Sequence, residues 1–369
     1  MLSRLTKRFF SVQSTFYASD LEITKVPVLN PDLKNAKLGF GVYNSDLMFQ
    51  VQYNEDKGWG KPSIGPFKDF QINPFNATLH YSLSCFEGMK LYKGEDGKFR
   101  LFRPMDNMTR FLKSNQRLAF APFEPAELLK CLIEYCKMET HWVPGGEISS
   151  LYLRPTAVSM SNKLGVHKSD KNMIFIVASP VGSYFSGKIN LCVFEDYWRG
   201  TPYSAAAYKI SANYAPTVQI GHELAKKGFS QALWTYNDQL LESGATNIFF
   251  VIKTKDGKEV VTHPTDGSIL PGVTRQSIID LHNDLFPSYK LSERPFTITE
   301  FLNHYNEGTL LEVFVTGTAS VIQRVSMIEM RGQQCTFGEN GEEYSGKMKQ
   351  FIIDIQRGVT EHPFAMLLQ

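Results

Sequence analysis

Lys209 follows Ala205-Ala206-Ala207-Tyr208 and precedes Ile210, with no nearby acid to pair its amine. An amine in apolar surroundings is the kind that attacks an aldehyde. Downstream, Glu242 sits in Leu240-Leu241-Glu242-Ser243-Gly244, at the mouth of the apolar run Ile248–Ile252, where a carboxylate needs a partner. Leu270-Pro271-Gly272-Val273-Thr274 then opens an amphipathic helix, whose free N–H groups and dipole suit an anion. Finally, Glu312-Val313-Phe314-Val315-Thr316-Gly317-Thr318-Ala319 reads as a strand ending in a hydroxyl-rich turn, a second place for an anion. Taken singly, these are equally a solvated lysine, a turn acid, a plain helix start and a polar turn.

Taken together, they are the parts that pyridoxal phosphate requires: an amine for its aldehyde, an acid for its pyridine nitrogen and two donor turns for its phosphate. The site needs no metal.

The elements that must position these groups follow from the spacing of apolar residues. Met108, Phe111, Leu112 and Leu118 predict a helix capped near Asp106, and Leu128, Leu129, Leu132 and Cys136 predict a second from Pro125. Further helices are expected near 215–227, 273–285, 298–305 and 344–357. Strands are expected within 38–53, broken by a turn at Asn44-Ser45-Asp46, at 149–154 and 172–179, and near 189–195, 231–236, 247–252, 259–262 and 311–316. Pro180–Gly187 is the best linker. Helices and strands mix without strict alternation, which predicts an α+β fold with antiparallel sheets. No glycine-rich nucleotide motif follows a strand.

The 369 residues suit two domains, and 39 basic against 37 acidic residues leave no basic footprint for nucleic acid. No apolar run is long enough for a membrane span. The cysteines Cys85, Cys131, Cys136, Cys192 and Cys335 form no CxxC pair, which favours a reducing compartment. Residues 1–19 hold Arg4, Lys7, Arg8 and several serines but no acid, the composition of a mitochondrial transit peptide. That predicts a mitochondrial matrix protein, or a cytoplasmic one if the segment is not functional.

From about residue 38 onward the sequence resembles the branched-chain amino-acid aminotransferases, pyridoxal-phosphate enzymes of fold type IV. The resemblance rests on His80-Tyr81-Ser82 with Phe86-Glu87-Gly88-Met89-Lys90, on Arg100-Leu-Phe-Arg103-Pro104 with Asn107-Met108-Thr109-Arg110, and on Leu151-Tyr152-Leu153-Arg154-Pro155 with Leu164-Gly165-Val166. It continues through Lys209…Asn213-Tyr214, Glu242-Ser-Gly244, Leu270–Gln276 and Gly317-Thr318-Ala319. It implies a two-domain, D-amino-acid-aminotransferase-like α+β fold: a leader over 1–19, a smaller domain over 20–182, a loop over 183–196 and a larger cofactor-binding domain over 197–369.

By position, the resemblance makes Lys209 the Schiff-base lysine and proton shuttle. Glu242 pairs with the pyridine nitrogen, and Tyr214 meets the ring hydroxyl. Arg110, Arg199, Val273, Thr274 and Thr318 bind the phosphate. Phe40, Tyr81, Tyr152 and Ala319 line the substrate pocket, and Arg154 meets the γ-carboxylate of glutamate. Tyr81, Leu164 and Val166 reach a neighbouring subunit's site, which implies a homodimer. The reaction so implied moves the amino group of leucine, isoleucine or valine to 2-oxoglutarate, giving glutamate, by a ping-pong course that also runs in reverse.

The chain departs from the family's pattern in places. Gly200–Tyr208 lacks the usual glycines and should be stiffened by Pro202 and three alanines. Ser211 stands where a glycine is usual, Ala245 stands for a threonine, and Thr246 points to the other face if the segment is extended. These changes leave open a relative with another amine donor or lyase activity, or a catalytically weakened paralogue.

Overall fold

The computed structural model describes residues 14–27, 33, 38–145, 149–182, 187–338 and 343–368. Among these, the strands form two sheets. The first runs Glu22–Ile23, Ser63–Pro66, Leu47–Asn54, Lys171–Val181, Ser150–Ser159, Met89–Lys93, Phe99–Phe102, Ala365–Leu367, with Gly58–Trp59 and Ser84–Phe86 paired at its side. Beyond its parallel outer pair it is antiparallel, and its longest ladder joins Ser150–Ser159 to Lys171–Val181. Helices Pro104–Arg117 and Pro125–Met138 pack into the same core as this sheet. Of the predicted apolar faces, Met108, Phe111, Leu128, Leu132 and Cys136 are fully buried, and Leu112, Leu118 and Ile133 pack half-buried at the core's edge. Each helix begins with proline at its first position, where the missing N–H costs nothing.

The second sheet runs Gln239–Ser243, Gln231–Tyr236, Ile189–Phe194, Val321–Met330, Leu310–Gly317, Thr246–Thr254, Gly257–Thr262, Tyr289–Glu293. An added pairing of Gln239–Ser243 with Thr246–Thr254 closes six of these strands into a barrel. Leu191, Leu233, Phe250, Val313, Val315 and Ile328 pack in one of its cores. Helices Val273–Leu285 and Glu343–Arg357 pack in another, through Ile278, Leu281, Met348, Ile352 and Ile355. The fold is α+β, as the mixed spacing predicts, but the second sheet is not the antiparallel one expected: Ile189–Phe194 pairs parallel with both of its neighbours, and Gly257–Thr262 pairs parallel with Tyr289–Glu293.

Four further expectations need correction. Residues 38–43 form turns and bends and not strand, because no neighbouring strand pairs them; Val42 and Tyr43 stay exposed, while the turn expected at Asn44-Ser45-Asp46 leads into strand Leu47–Asn54. The connection between the sheets is shorter than 183–196, since Ile189–Phe194 is a strand paired on both sides; Ser183–Ser186 of the expected linker lie outside the described residues. The last strand, Ala365–Leu367, returns to the first sheet instead of staying with the second half. Lastly, the fold begins before residue 19. Phe16 is fully buried, stacks on Phe123 at 6.2 Å and meets Trp59 edge-on at 5.1 Å. The Ala18 N–H donates to Glu127 at 2.8 Å.

Phe16→Ala is therefore expected to cost about 3–5 kcal/mol of stability, the usual price of emptying a buried aromatic site. Urea unfolding at fixed cofactor concentration measures it. A loss below about 1 kcal/mol would show that the segment does not seal this core.

Candidate active site

The segment that carries Lys209 is fastened to the first sheet. The Lys209 carbonyl accepts from the Phe86 N–H at 3.0 Å, and its own N–H donates to Ser114 Oγ at 3.0 Å. Below it, Asn213 Nδ2 donates to the Ala205 and Tyr208 carbonyls, each at 2.9 Å. The three alanines form a short 3-10 turn capped by Ser204. The lysine backbone is thus held from both sides while its side chain projects free of that network.

That side chain enters a cavity of about 540 Å³ between the two sheets. Phe86, Gly88, Tyr152, Arg154 and Thr156 line it from the first sheet, and Ala245, Thr246 and Gly317–Ser320 from the second; Phe40, Lys209, Ser211 and Tyr214 complete it. Lys209 Nζ donates to Tyr214 Oη at 3.2 Å and lies 5.0 Å from the Phe86 ring centroid. Tyr152 and Arg154, two apart on one strand, share the cavity face as their spacing requires. Arg154 Nη2 donates to Tyr152 Oη at 3.1 Å, and its guanidinium lies 4.6 Å from the Phe86 centroid and 5.9 Å from that of Phe40. Gly88 is required here: a Cβ on it would fall 1.8 Å from Tyr152 Oη.

Two buried ion pairs back the cavity. Glu242 pairs with Arg199, and a backbone N–H from Leu270 reaches the same carboxylate at 3.3 Å. Burial pushes Glu242 up from the usual carboxylate range, against the opposing charge of Arg199. Glu87 is paired bidentately with Arg110, at 2.7 and 2.8 Å, and also accepts from Asn107 at 2.9 Å. Burial alone would raise Glu87 too, but the guanidinium and its hydrogen bonds hold it below the ordinary range. The remaining arm of Arg110 donates to the Pro271 carbonyl at 2.9 Å, which ties it to the start of helix Val273–Leu285. No side chain caps that 13-residue helix. Val273, Thr274 and Thr318 border one small recess, and Thr318 also borders the main cavity.

Lys209, Tyr214, Phe40, Tyr152, Arg154, Thr318 and Ala319 therefore line the cavity, while Arg110, Arg199, Glu242, Val273 and Thr274 stand around it. Tyr81, Leu164 and Val166 do not line it. Leu164 and Val166 are 52% and 84% exposed, and Tyr81 Oη accepts from the Gly165 N–H at 2.8 Å. Thr246 is not turned away: Gly244-Ala245 form a two-residue hairpin loop, so both Ala245 and Thr246 face the cavity. The Thr246 hydroxyl is spent on the Ser243 carbonyl at 2.8 Å. Where a glycine was expected, Ser211 brings a hydroxyl to the wall, accepting from Ser84 at 2.7 Å.

Glu87 and Asn107 join the site only through the fold. The available signal was a carboxylate flanked by Phe86 and Gly88 at an apolar strand, which needs a cation; its partner is 23 residues away. Two polar atoms here are buried without a protein partner, Ser320 Oγ and Arg154 Nε. A buried polar atom left without a partner is uncommon and calls for an explanation.

Residues 84–328 match the family model for amino-transferase class IV. The branched-chain-amino-acid aminotransferase of Dictyostelium discoideum is 37% identical, covering 100% of both chains. The mitochondrial branched-chain-amino-acid aminotransferase of Schizosaccharomyces pombe is 38% identical over 92% of this chain and 83% of its own length. Among solved structures, the branched-chain amino acid aminotransferase of Thermobaculum terrenum in its PLP form superposes with a TM-score of 0.70 at 19% identity, covering 88% of this chain and 99% of that one. At that identity the superposition shows the shared fold.

Proposed function

This chain belongs to the class IV aminotransferases, and on that premise we propose that it moves the amino group of leucine, isoleucine or valine to 2-oxoglutarate with pyridoxal phosphate as cofactor. The observation that carries the reading is the single cavity that gathers an amine, a phenol, an aromatic-flanked guanidinium and a hydroxyl-rich turn, backed by a buried carboxylate.

The residues fit the cofactor. Lys209 would hold its aldehyde carbon and Glu242 its pyridine nitrogen, with Tyr214 at its ring hydroxyl. The uncapped helix start at Val273-Thr274, with Arg110 and Thr318, would take its phosphate. When bound, pyridoxal phosphate supplies an electron sink for the charge left as an α-proton departs.

The chain's own groups do the rest. Lys209 Nζ would take that proton from the α-carbon and pass it to the cofactor carbon that had carried the aldehyde, and in the second half of the cycle it would move a proton from that carbon back to the α-carbon of the acceptor; the 3.2 Å bond to Tyr214 sets its reach. Phe40, Phe86 and Tyr152 cover an aliphatic side chain and exclude water. Arg154, stacked among the same rings, receives the γ-carboxylate of glutamate or 2-oxoglutarate, so one pocket serves two kinds of side chain. Tyr81, Leu164 and Val166 form an exposed patch that fits a second copy of the chain. The basic leader composition and the mitochondrial relative support delivery to the mitochondrion, with cleavage before Thr15 because Phe16 belongs to the core.

An absorbance titration tests the reading. Leucine should shift the cofactor band of the purified holoenzyme, and 2-oxoglutarate should restore it. Response to another amine but none to leucine would move the chain to a different donor.

Arg154→Gln is expected to raise KM for 2-oxoglutarate about 10–100-fold, the worth of one charged hydrogen bond of about 1.5–3 kcal/mol. KM for 4-methyl-2-oxopentanoate should change less than about threefold. Equal changes for both would remove Arg154 from γ-carboxylate recognition.

A further inference from the structure

The residues that follow the lysine run antiparallel to strand Ser84–Phe86: the Phe86 N–H donates to the Lys209 carbonyl at 3.0 Å, and Ile210 bridges Cys85. Ile210 is extended, with φ −93° and ψ 143°, and its side chain is buried in the core of the first sheet. Lys209 and Ser211, on either side of it, therefore share the opposite face, and both line the main cavity. Cys85 is buried in the same core, so its neighbours Ser84 and Phe86 share that face as well.

Two pairs thus succeed each other along the wall. The first is Phe86 with Lys209, whose Nζ lies 5.0 Å from the Phe86 centroid. The second is Ser84 with Ser211. Ser84 is 7% exposed, and its Oγ donates to Ser211 Oγ at 2.7 Å. A serine hydroxyl has one proton to give. Ser84 spends its proton on Ser211, so the proton of Ser211 must go elsewhere. Among the described residues no acceptor takes it, and Ser211 borders the open cavity. A serine side chain is short, whereas the lysine amine reaches further in to work at the α-carbon. The hydroxyl at the wall is therefore placed for the far end of a substrate's side chain.

We infer that Ser211, held by Ser84, is a specificity-determining residue: its proton donates to a hydroxyl oxygen on the substrate's side chain, so the chain uses neutral hydroxylated amino acids of leucine's size beside leucine itself. The inference rests on the transaminase reading and names a substrate class for that same cavity. A wholly apolar pocket favours a methyl over a hydroxyl of the same shape by about 10²-fold, because the hydroxyl gives up water and finds no partner. A donor waiting at the wall removes part of that penalty. Leucine leaves the same proton unpaired, which narrows the gap further.

The test compares leucine with 2-amino-4-hydroxypentanoate, in which a hydroxyl replaces one of leucine's terminal methyl groups. The readout is leucine's kcat/KM divided by that of the hydroxy compound, measured on the holoenzyme with 2-oxoglutarate as acceptor. The quotient cancels any general loss of activity. Ser211→Ala should raise it at least threefold, the worth of about one neutral hydrogen bond. Ser84→Ala combined with Ser211→Ala, which strands no buried hydroxyl, should raise it by as much. A smaller rise in either variant, or a natural enzyme that uses leucine but not the hydroxy compound, would overturn the role of Ser211. A natural holoenzyme inactive with leucine would instead overturn the transaminase reading beneath it, and this inference with it.

Discussion

Lys209→Ala is expected to lower kcat by about 10³-fold or more while leaving the fold intact. Proton transfer by a positioned side chain is alone worth about 10²–10⁴-fold, and Lys209 is the one amine lining the cavity among the described residues. The fold should survive because the anchors of this segment are backbone groups, the Phe86 N–H to the Lys209 carbonyl and the Lys209 N–H to Ser114, which alanine keeps. The side chain itself is half-buried and donates to Tyr214. Stopped-flow turnover with leucine measures the first effect. Urea unfolding should show a change within about 1 kcal/mol. Residual activity above a tenth of the natural chain's would remove Lys209 from the proton transfer.

Glu87→Gln is expected to lower stability as much as emptying the Phe16 site does. Glu87 has no exposed surface, and its two oxygens meet the Arg110 guanidinium, Asn107 and the Gly88 N–H. Neutralising it leaves Arg110, itself buried, without its counter-charge, and breaking one side of such a pair costs about 3–5 kcal/mol. The cofactor changes that figure. Arg110 is bonded to Pro271 at the helix start that would hold the phosphate. A bound phosphate would restore a negative charge beside it, so the loss should be smaller in the holoenzyme than in the apoprotein, beyond the ordinary stabilisation by a bound ligand. Chemical unfolding of both forms, natural and variant, measures the difference. An equal loss in the two forms would detach Arg110 from the phosphate, and a loss below about 1 kcal/mol in both would show that the pair is not an isolated buried charge couple.

The two carboxylates show what a linear reading can and cannot reach. Glu242 is conspicuous because it stands alone between apolar runs, and its cation, Arg199, was already in view as a candidate. Glu87 is equally buried, but its partners Asn107 and Arg110 lie one helix later, and only the packing of helix Pro104–Arg117 against the first sheet brings them together. Lys90 is harder still: buried on strand Met89–Lys93, it donates to a backbone carbonyl 229 residues away, and a carbonyl leaves no mark in a sequence.

Helices and strands with a clean apolar period emerged close to where their spacing placed them. The misplacements have physical causes. Apolar alternation over 38–43 lacks a partner strand, so the segment turns and leaves Phe40 at the cavity mouth. At the amino end, the basic and serine-rich composition of a leader runs on into Phe16, whose burial only the folded core reveals. Thr246 faces the cavity beside Ala245 because a two-residue hairpin loop, and not an extended run, precedes it. Conversely, the hydroxyls of Ser84 and Ser211 meet although 127 residues separate them, so the polar patch they make on the wall belongs to the fold alone.

The central claim is that Lys209 carries the cofactor. Borohydride reduction of the purified holoenzyme, followed by proteolysis and mass spectrometry, tests it most directly. The expected result is one phosphopyridoxyl adduct per chain, on the peptide containing Ala207-Tyr208-Lys209-Ile210. An adduct on Lys90 or any other lysine, or none at all in a protein reconstituted with pyridoxal phosphate, would contradict it.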